Sequence, residues 1–189
     1  MYPEGLFISE AVTTLTPEFC SAILGLIDTQ PWRIDLKRRT QHYGVRYDYT
    51  TKKLAYDVPP VNSSYGVFAI IRAITPLFHV LCEMYNIPKI NGEYPQFQQV
   101  IVNEYTSKQS ISPHTDSPLF GPIVMTVTIG DSAEFVMSNP STGDTCSISP
   151  WNGCIVALCG ESRKLWKHET KAVINPNFRR VSVTLRTIA

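Results

Sequence analysis

From residue 97 onward the chain breaks into short apolar runs separated by turn residues, and this pattern constrains the fold most. Candidate strands cover 97–105, 123–129, 133–138, 145–149, 154–159, 166–173 and 180–188. Between them stand Gly130-Asp131, Asn139-Pro140, Thr142-Gly143-Asp144, Asn152-Gly153 and Asn175-Pro176-Asn177, the residue types that close tight turns. The first half reads differently. Thr16 as N-cap, Pro17 at the first helical position and Glu18 in the first turn announce a helix, with Phe19, Ile23, Leu24 and Ile27 as its apolar stripe. A second helical pattern runs over 67–85 through Phe68, Ile71, Ile74, Phe78, Leu81, Cys82 and Tyr85, with Thr75-Pro76 placed to kink or divide it. Helices first and many short strands afterwards predict an α+β fold with a rolled, two-sheet core.

One stretch carries chemistry. In VIVNEYTSKQSISPHTD, residues 100–116, His114 and Asp116 are two residues apart. In an extended segment such positions point to the same side. One imidazole and one carboxylate are two thirds of the facial triad that holds non-haem Fe(II). Alone the pair is weak, since most His-x-Asp tripeptides are turns or caps that bind nothing. Three histidines remain as partners: His42 in a basic aromatic stretch, His79 on the second helix, and His168 at the start of a late strand. A late strand of a rolled sheet can return beside an earlier one, so His168 is the expected third ligand. His79 reads instead as a hydrogen-bonded structural histidine.

The last strand alternates. Arg180, Ser182, Thr184 and Arg186 share one face, with Val181, Val183 and Leu185 on the other. Either the polar face is solvated, or it grips a dicarboxylate through paired guanidinium hydrogen bonds. Asn103 and Tyr105 repeat the period-two logic one strand before the His-Asp pair and offer an amide and a phenol. Residues 31–58 mix Trp32, His42, Tyr43, Tyr47 and Tyr49 with Arg33, Lys37, Arg38, Arg39 and Arg46. Cations among aromatics suit a phosphate backbone with stacked bases, and equally suit an edge strand with a solvated basic face. Net charge is only +1, which leaves both open. Trp32, Tyr43 and Tyr47 are the aromatics expected to stack on a base.

The order Asn103-x-Tyr105, His114-x-Asp116, Gly160-Glu-Ser-Arg163, His168 and Arg180-x-Ser-x-Thr-x-Arg186 resembles the AlkB-like dioxygenases, which depend on Fe(II) and 2-oxoglutarate. The likeness spans about residues 30 to 188. It implies a double-stranded β-helix, or jelly roll, with N-terminal supporting helices. It implies His114, Asp116 and His168 as iron ligands. Asn103, Tyr105, Arg180 and Ser182 would hold 2-oxoglutarate, with Arg180 on its distal carboxylate, although many members carry Asn where Ser182 stands. Arg186 would sit near the cosubstrate's other end and the iron ligands, and O2 would be the second cosubstrate. Lys37-Arg38-Arg39-Thr40-Gln41-His42-Tyr43-Gly44 looks like the family's nucleotide-recognition lid. That segment and Gly160–His168 most resemble the subgroup containing the tRNA wobble-uridine hydroxylase. Arg38, Arg39, His42, Tyr43, Tyr47 and Arg163 are accordingly the expected substrate contacts.

The resulting expectation is one dioxygenase domain over 1–189, with a lid at 30–58 and a jelly roll at 95–189. It would oxidise an alkylated or modified base in RNA or DNA, by demethylation or stable hydroxylation, with single strands and RNA favoured. The alternatives are oxidation of a protein side chain and a non-catalytic nucleic-acid-binding module. Five cysteines without a CxxC, and no recognisable signal peptide, suggest reduced thiols in the cytoplasm or nucleus. No apolar stretch reads as long enough to span a membrane, and the expected state is a monomer.

Overall fold

The computed structural model describes residues 2–10, 14–34, 36–48 and 50–189. Strand β1 (Leu6–Ile8) precedes helix α1 (Pro17–Asp28). α1 begins as its sequence predicts, with the Thr16 hydroxyl accepting from the Phe19 N–H at 3.2 Å. Its buried stripe is Cys20, Ile23 and Ile27. Strands β2 (Thr40–Gly44), β3 (Arg46–Asp48) and β4 (Lys53–Ala55) follow. The expected alternation through Tyr43, Val45 and Tyr47 is interrupted at Gly44, while Tyr49 lies outside the described residues. Gly44 has φ +77°, and a Cβ there would fall 1.9 Å from the Gln98 carbonyl oxygen. Only glycine passes that close, so β2 ends and β3 leaves the sheet.

Helix α2 (Tyr65–Met84) is a single helix with Pro76 inside it, not two. Pro76 cannot bond the Arg72 carbonyl four residues earlier. Both residues are exposed, so water can serve that carbonyl. The buried positions are Gly66, Val67, Ile70, Ile74, Phe78, Leu81 and Cys82. The stripe is therefore rotated from the expected one, and Phe68 is 41% exposed. A second correction concerns its length and apolarity. α2 meets the length and hydropathy of a membrane span, where the sequence reading found none. Its apolar face packs against α1 and the sheet as part of the main core.

The remaining elements are β5 (Gln99–Thr106), β6 (Ile111–His114), β7 (Phe120–Gly130), β8 (Phe135–Ser138), β9 (Thr145–Ile148), β10 (Ile155–Leu158), α3 (Gly160–Lys164), β11 (Lys167–Thr170) and β12 (Arg179–Ile188). They form two antiparallel sheets, in the orders β1-β10-β7-β12-β5-β2 and β6-β11-β8-β9. Strands β5 to β12 distribute between the sheets as a jelly roll, the expected fold. Residues 100, 102, 181, 183 and 185 face the helices and are fully or almost fully buried. Their neighbours on the other pleat, including Asn103, Tyr105, Arg180 and Ser182, face the smaller sheet across a narrow cleft. Met137, Val156, Leu158 and Trp166 form a second apolar cluster, with Val156 and Leu158 also lining that cleft.

Candidate active site

Strand β6 delivers His114, and the two residues beyond it bring Asp116 to the same side. β11 pairs antiparallel with β6 so that His168 lies opposite His114. The ligand atoms of His114, Asp116 and His168 all fall within 4.8 Å of one another, and the two imidazole centroids are 4.3 Å apart. The Nδ1 of His114 stands 2.8 Å from the Ser112 carbonyl oxygen. If Nδ1 carries the proton and donates there, Nε2 keeps its lone pair for a metal. The His168 Nε2 is 3.7 Å from Asp116 Oδ2, and Phe135 stacks on the His168 ring at 5.6 Å. Burial pushes the His168 imidazole down to about 4, against the opposing pull of Asp116. The ring is neutral at pH 7, the form that can ligate a metal.

Asp116 is held from two sides. The Arg186 guanidinium donates to Oδ1 and to Gln99 Oε1 at 2.8 Å, while lying 5.0 Å from the Phe120 ring centroid. Arg163, on α3, donates to the backbone carbonyls of Asp116, Ser117 and Phe120 at 3.1, 2.8 and 3.2 Å. Burial works to raise the Asp116 carboxyl. The cations Arg186 and Arg163, with the two imidazoles, outweigh it and hold the group at about 2. Asp116 therefore stays a carboxylate. Its Oδ2 is buried and has no hydrogen-bond partner among the described residues, a costly state unless something else binds there.

A second uncompensated group lies in the same cleft. Arg180 is 2% exposed. Among the described residues its guanidinium hydrogen-bonds only the Thr128 hydroxyl, at 3.0 Å, and Nε is unpaired. Burial lowers its pKa, and no carboxylate stands by to oppose that. A buried cation lacking a counter-ion is strongly unfavourable. Asn103, Tyr105, Ser182, Thr184 and Arg186 line the same cleft. The His-Asp-His cluster is a donor set that suits a divalent metal, and the buried cation Arg180 lines the same cleft, where an anionic group would compensate it.

Comparison with known families decides the point. The model of the 2OG-Fe(II) oxygenase superfamily matches residues 16–186. The chain belongs to that superfamily. Fe(II), 2-oxoglutarate and O2 are accordingly its cofactor and cosubstrates. A relative from Arabidopsis thaliana, an alkylated DNA repair protein ALKBH8 homolog, is 27% identical over 97% of this chain and 58% of its own length. A Caenorhabditis elegans DNA N6-methyl adenine demethylase is 25% identical over 89% of this chain and 55% of its own. The chain thus spans a little over half the length of these two relatives. The solved structure of OsALKBH1 superposes with a TM-score of 0.70 at 16% identity, covering 99% of this chain and 98% of that one, a likeness of fold.

For a 2OG-Fe(II) oxygenase, several residues expected at the substrate are placed elsewhere. Tyr43 is 4% exposed and belongs to the main core, its hydroxyl donating to Gln41 Oε1 at 2.9 Å. It cannot stack on a base, because alternation along β2 turns it towards the helices. Trp32 packs against the same core and is covered by Arg39, whose guanidinium is 4.9 Å from the indole. Arg39 also pairs bidentately with the buried Glu104. Arg163 is buried, with its guanidinium on the Asp116, Ser117 and Phe120 carbonyls. His42 is buried on the cleft-facing pleat of β2. Tyr47 remains half-exposed, 6.2 Å from Phe120. His79, expected as a hydrogen-bonded structural histidine, is instead exposed on α2 with no hydrogen bond among the described residues, its ring tilted against Tyr94 at 5.3 Å.

Sequence reasoning missed Gln99, Thr128 and Phe135, which support Arg186, Arg180 and His168. Gln99 shares its pleat with Asn103 and Tyr105, a signal that could have found it. Thr128 and Phe135 carry no local signal, because their roles arise from cross-strand and cross-sheet neighbours.

Proposed function

We propose that this chain oxidises an alkylated or modified base in nucleic acid, with His114, Asp116 and His168 holding Fe(II). Asn103, Tyr105, Arg180 and Ser182 bind 2-oxoglutarate, and Arg186 steadies the Asp116 carboxylate. One observation carries this reading: among the described residues, a buried carboxylate oxygen with no hydrogen-bond partner, between two imidazoles, shares a cleft with a buried guanidinium that has no counter-ion and an unpaired Nε. When bound, iron and 2-oxoglutarate would activate O2: one oxygen atom would enter succinate as CO2 is lost, and the other would become the hydroxyl placed on a substrate C–H bond. The chain's own residues do the rest. Arg180 balances the diacid's far charge. Phe135 keeps water from the His168 ring. Arg163 and Arg186 fix Asp116 before any ligand arrives, so little reorganisation remains.

The nucleic-acid assignment rests on the names of the two relatives and on the basic segment 30–58, which we assign as a recognition lid over the jelly roll at 95–189. Lys37 and Tyr47 stay accessible there. Extracting a base from a duplex costs roughly a few kcal/mol, and no wedge for it stands out near the cleft among the described residues. Unpaired bases, in single strands or loops and in RNA first, are the proposed substrates. The five free thiols fit an intracellular, reducing setting, and we assign a monomer.

The test is mass spectrometry of methylated oligonucleotides and of tRNA after incubation with Fe(II), ascorbate and 2-oxoglutarate. Loss of one methyl with formaldehyde released marks dealkylation; gain of one oxygen marks hydroxylation. His168→Ala should abolish both product and succinate. Succinate from the wild type with no change in any nucleic acid would remove the substrate assignment, and undiminished succinate from His168→Ala would remove the iron site.

A further inference from the structure

Arg38 and Arg39 are adjacent in the lid, yet the chain sends them in opposite directions. Arg39 turns to the outer pleat of β5, where Glu104 and Trp32 take it up. Arg38 turns over the cleft. Its Nε donates to Asn103 Oδ1 at 2.8 Å, and its guanidinium carbon lies 5.6 Å from the Tyr105 ring centroid. Those are the two β5 side chains assigned above to the cosubstrate.

The chemistry of the pair fixes an orientation. A guanidinium has five donors and no acceptor, so Asn103 must meet it with its amide oxygen. The amide nitrogen, with two N–H donors, then faces away from Arg38. Asn103 lines the cleft beside Arg180 and Tyr105. With the oxygen taken, the edge it can turn into the cleft is a donor edge, which suits a carboxylate. Reversed, the amide would present oxygen to oxygen. The backbone on both sides of Arg38 is tied down: the Lys37 carbonyl accepts from Gln109 Nε2 at 2.7 Å, and the Arg39 carbonyl from the Glu104 N–H at 3.0 Å. Arg38 is thus aimed before the diacid arrives.

We propose that Arg38 is a positioning residue for 2-oxoglutarate: by engaging the Asn103 oxygen it turns that amide's N–H groups to the diacid. This rests on Asn103 as a cosubstrate contact. It moves Arg38 from the nucleic-acid half of the site to the cosubstrate half, and makes one lid residue part of cosubstrate affinity. Its terminal Nη groups have no hydrogen bond among the described residues, so a phosphate contact is the rival role.

Calorimetric titration of 2-oxoglutarate into Mn(II)-loaded protein separates the two roles without turnover. Arg38→Ala should weaken 2-oxoglutarate binding about five- to twenty-fold, the worth of one oriented hydrogen bond. Arg38→Lys, which also only donates, should restore most of it. Asn103→Ala and Asn103→Asp should each weaken binding at least as much, and Arg38→Ala should add little on top of Asn103→Ala. The affinity of a methylated single-stranded oligonucleotide should stay unchanged in Arg38→Ala. Full 2-oxoglutarate affinity in Arg38→Ala, with Asn103→Ala impaired, overturns the inference and leaves the site intact. Lost oligonucleotide affinity with unchanged 2-oxoglutarate binding overturns it in favour of a phosphate contact. An unimpaired Asn103→Ala overturns the cosubstrate assignment itself.

Discussion

The cleft and the segment 30–58, proposed above as a lid, are both rich in arginine, yet one cleft arginine is used differently from those of that segment. In the cleft, Arg180 and Arg186 are carried on β12 and paired across to β5 and β7. Arg186 is paired with Asp116, whereas Arg180 has no counter-ion among the described residues. In the lid, Arg39 and Arg46 are already neutralised, by Glu104 and by Asp57 at 2.8 Å. A basic run is therefore a poor guide to a binding surface. The informative cation is the one that the fold buries and leaves unpaired. The same contrast holds for the tyrosines: Tyr43 and Tyr47 are four residues apart, one in the core and the other at the surface.

That contrast can be broken most directly at the tyrosines. Tyr43→Ala should cost about 3–5 kcal/mol of stability, the usual cost of emptying an aromatic core site. Tyr47→Ala should leave the melting temperature nearly unchanged and weaken binding of single-stranded oligonucleotide by roughly 1–3 kcal/mol. Equal melting losses for the two variants, by calorimetry, would erase the distinction between core and lid.

Arg180 sharpens the comparison from the cleft side. Arg180→Met removes a buried charge that has no counter-ion among the described residues. The apoprotein should unfold at the same or a higher temperature, by roughly 1–3 kcal/mol. The thermal protection that 2-oxoglutarate confers on the Mn(II)-loaded wild type should vanish. A clear loss of apoprotein stability would mean that the guanidinium has a partner within the fold.

The smallest effect belongs to the lid's anchor. Glu104 is buried, and Arg39 and Arg179 both reach it, at 2.5 and 2.9 Å. Burial works to raise its pKa, but hydrogen bonds from the two guanidinium groups bring it below the ordinary 4.5. A depressed carboxylate stabilises the fold fully above that ordinary value. The contribution is lost as pH falls through the folded value. Glu104→Gln should cost about 1–2 kcal/mol at pH 7, since both partners are part-exposed. The difference from wild type should shrink progressively below pH 4.5. A constant difference between pH 7 and pH 3 in urea denaturation would show that the pair does not titrate with folding.

Period-two alternation, helix caps and turn residues are local properties, and they determined much of this protein in the sequence itself. They place α1 and its cap, the late strands, the shared side of His114 and Asp116, and the single polar face from Arg180 to Arg186. Within a strand a side chain's face follows from its position alone. Which faces meet does not. The meeting of His168 with His114, the support of Arg186 by Gln99 and of Arg180 by Thr128, and the burial of Tyr43 depend on register between distant strands and on which layer covers which pleat. Those are contacts between segments tens of residues apart. Only the folded sheets, closing over one another, could assign Arg38 to the cleft and Arg39 to the outside.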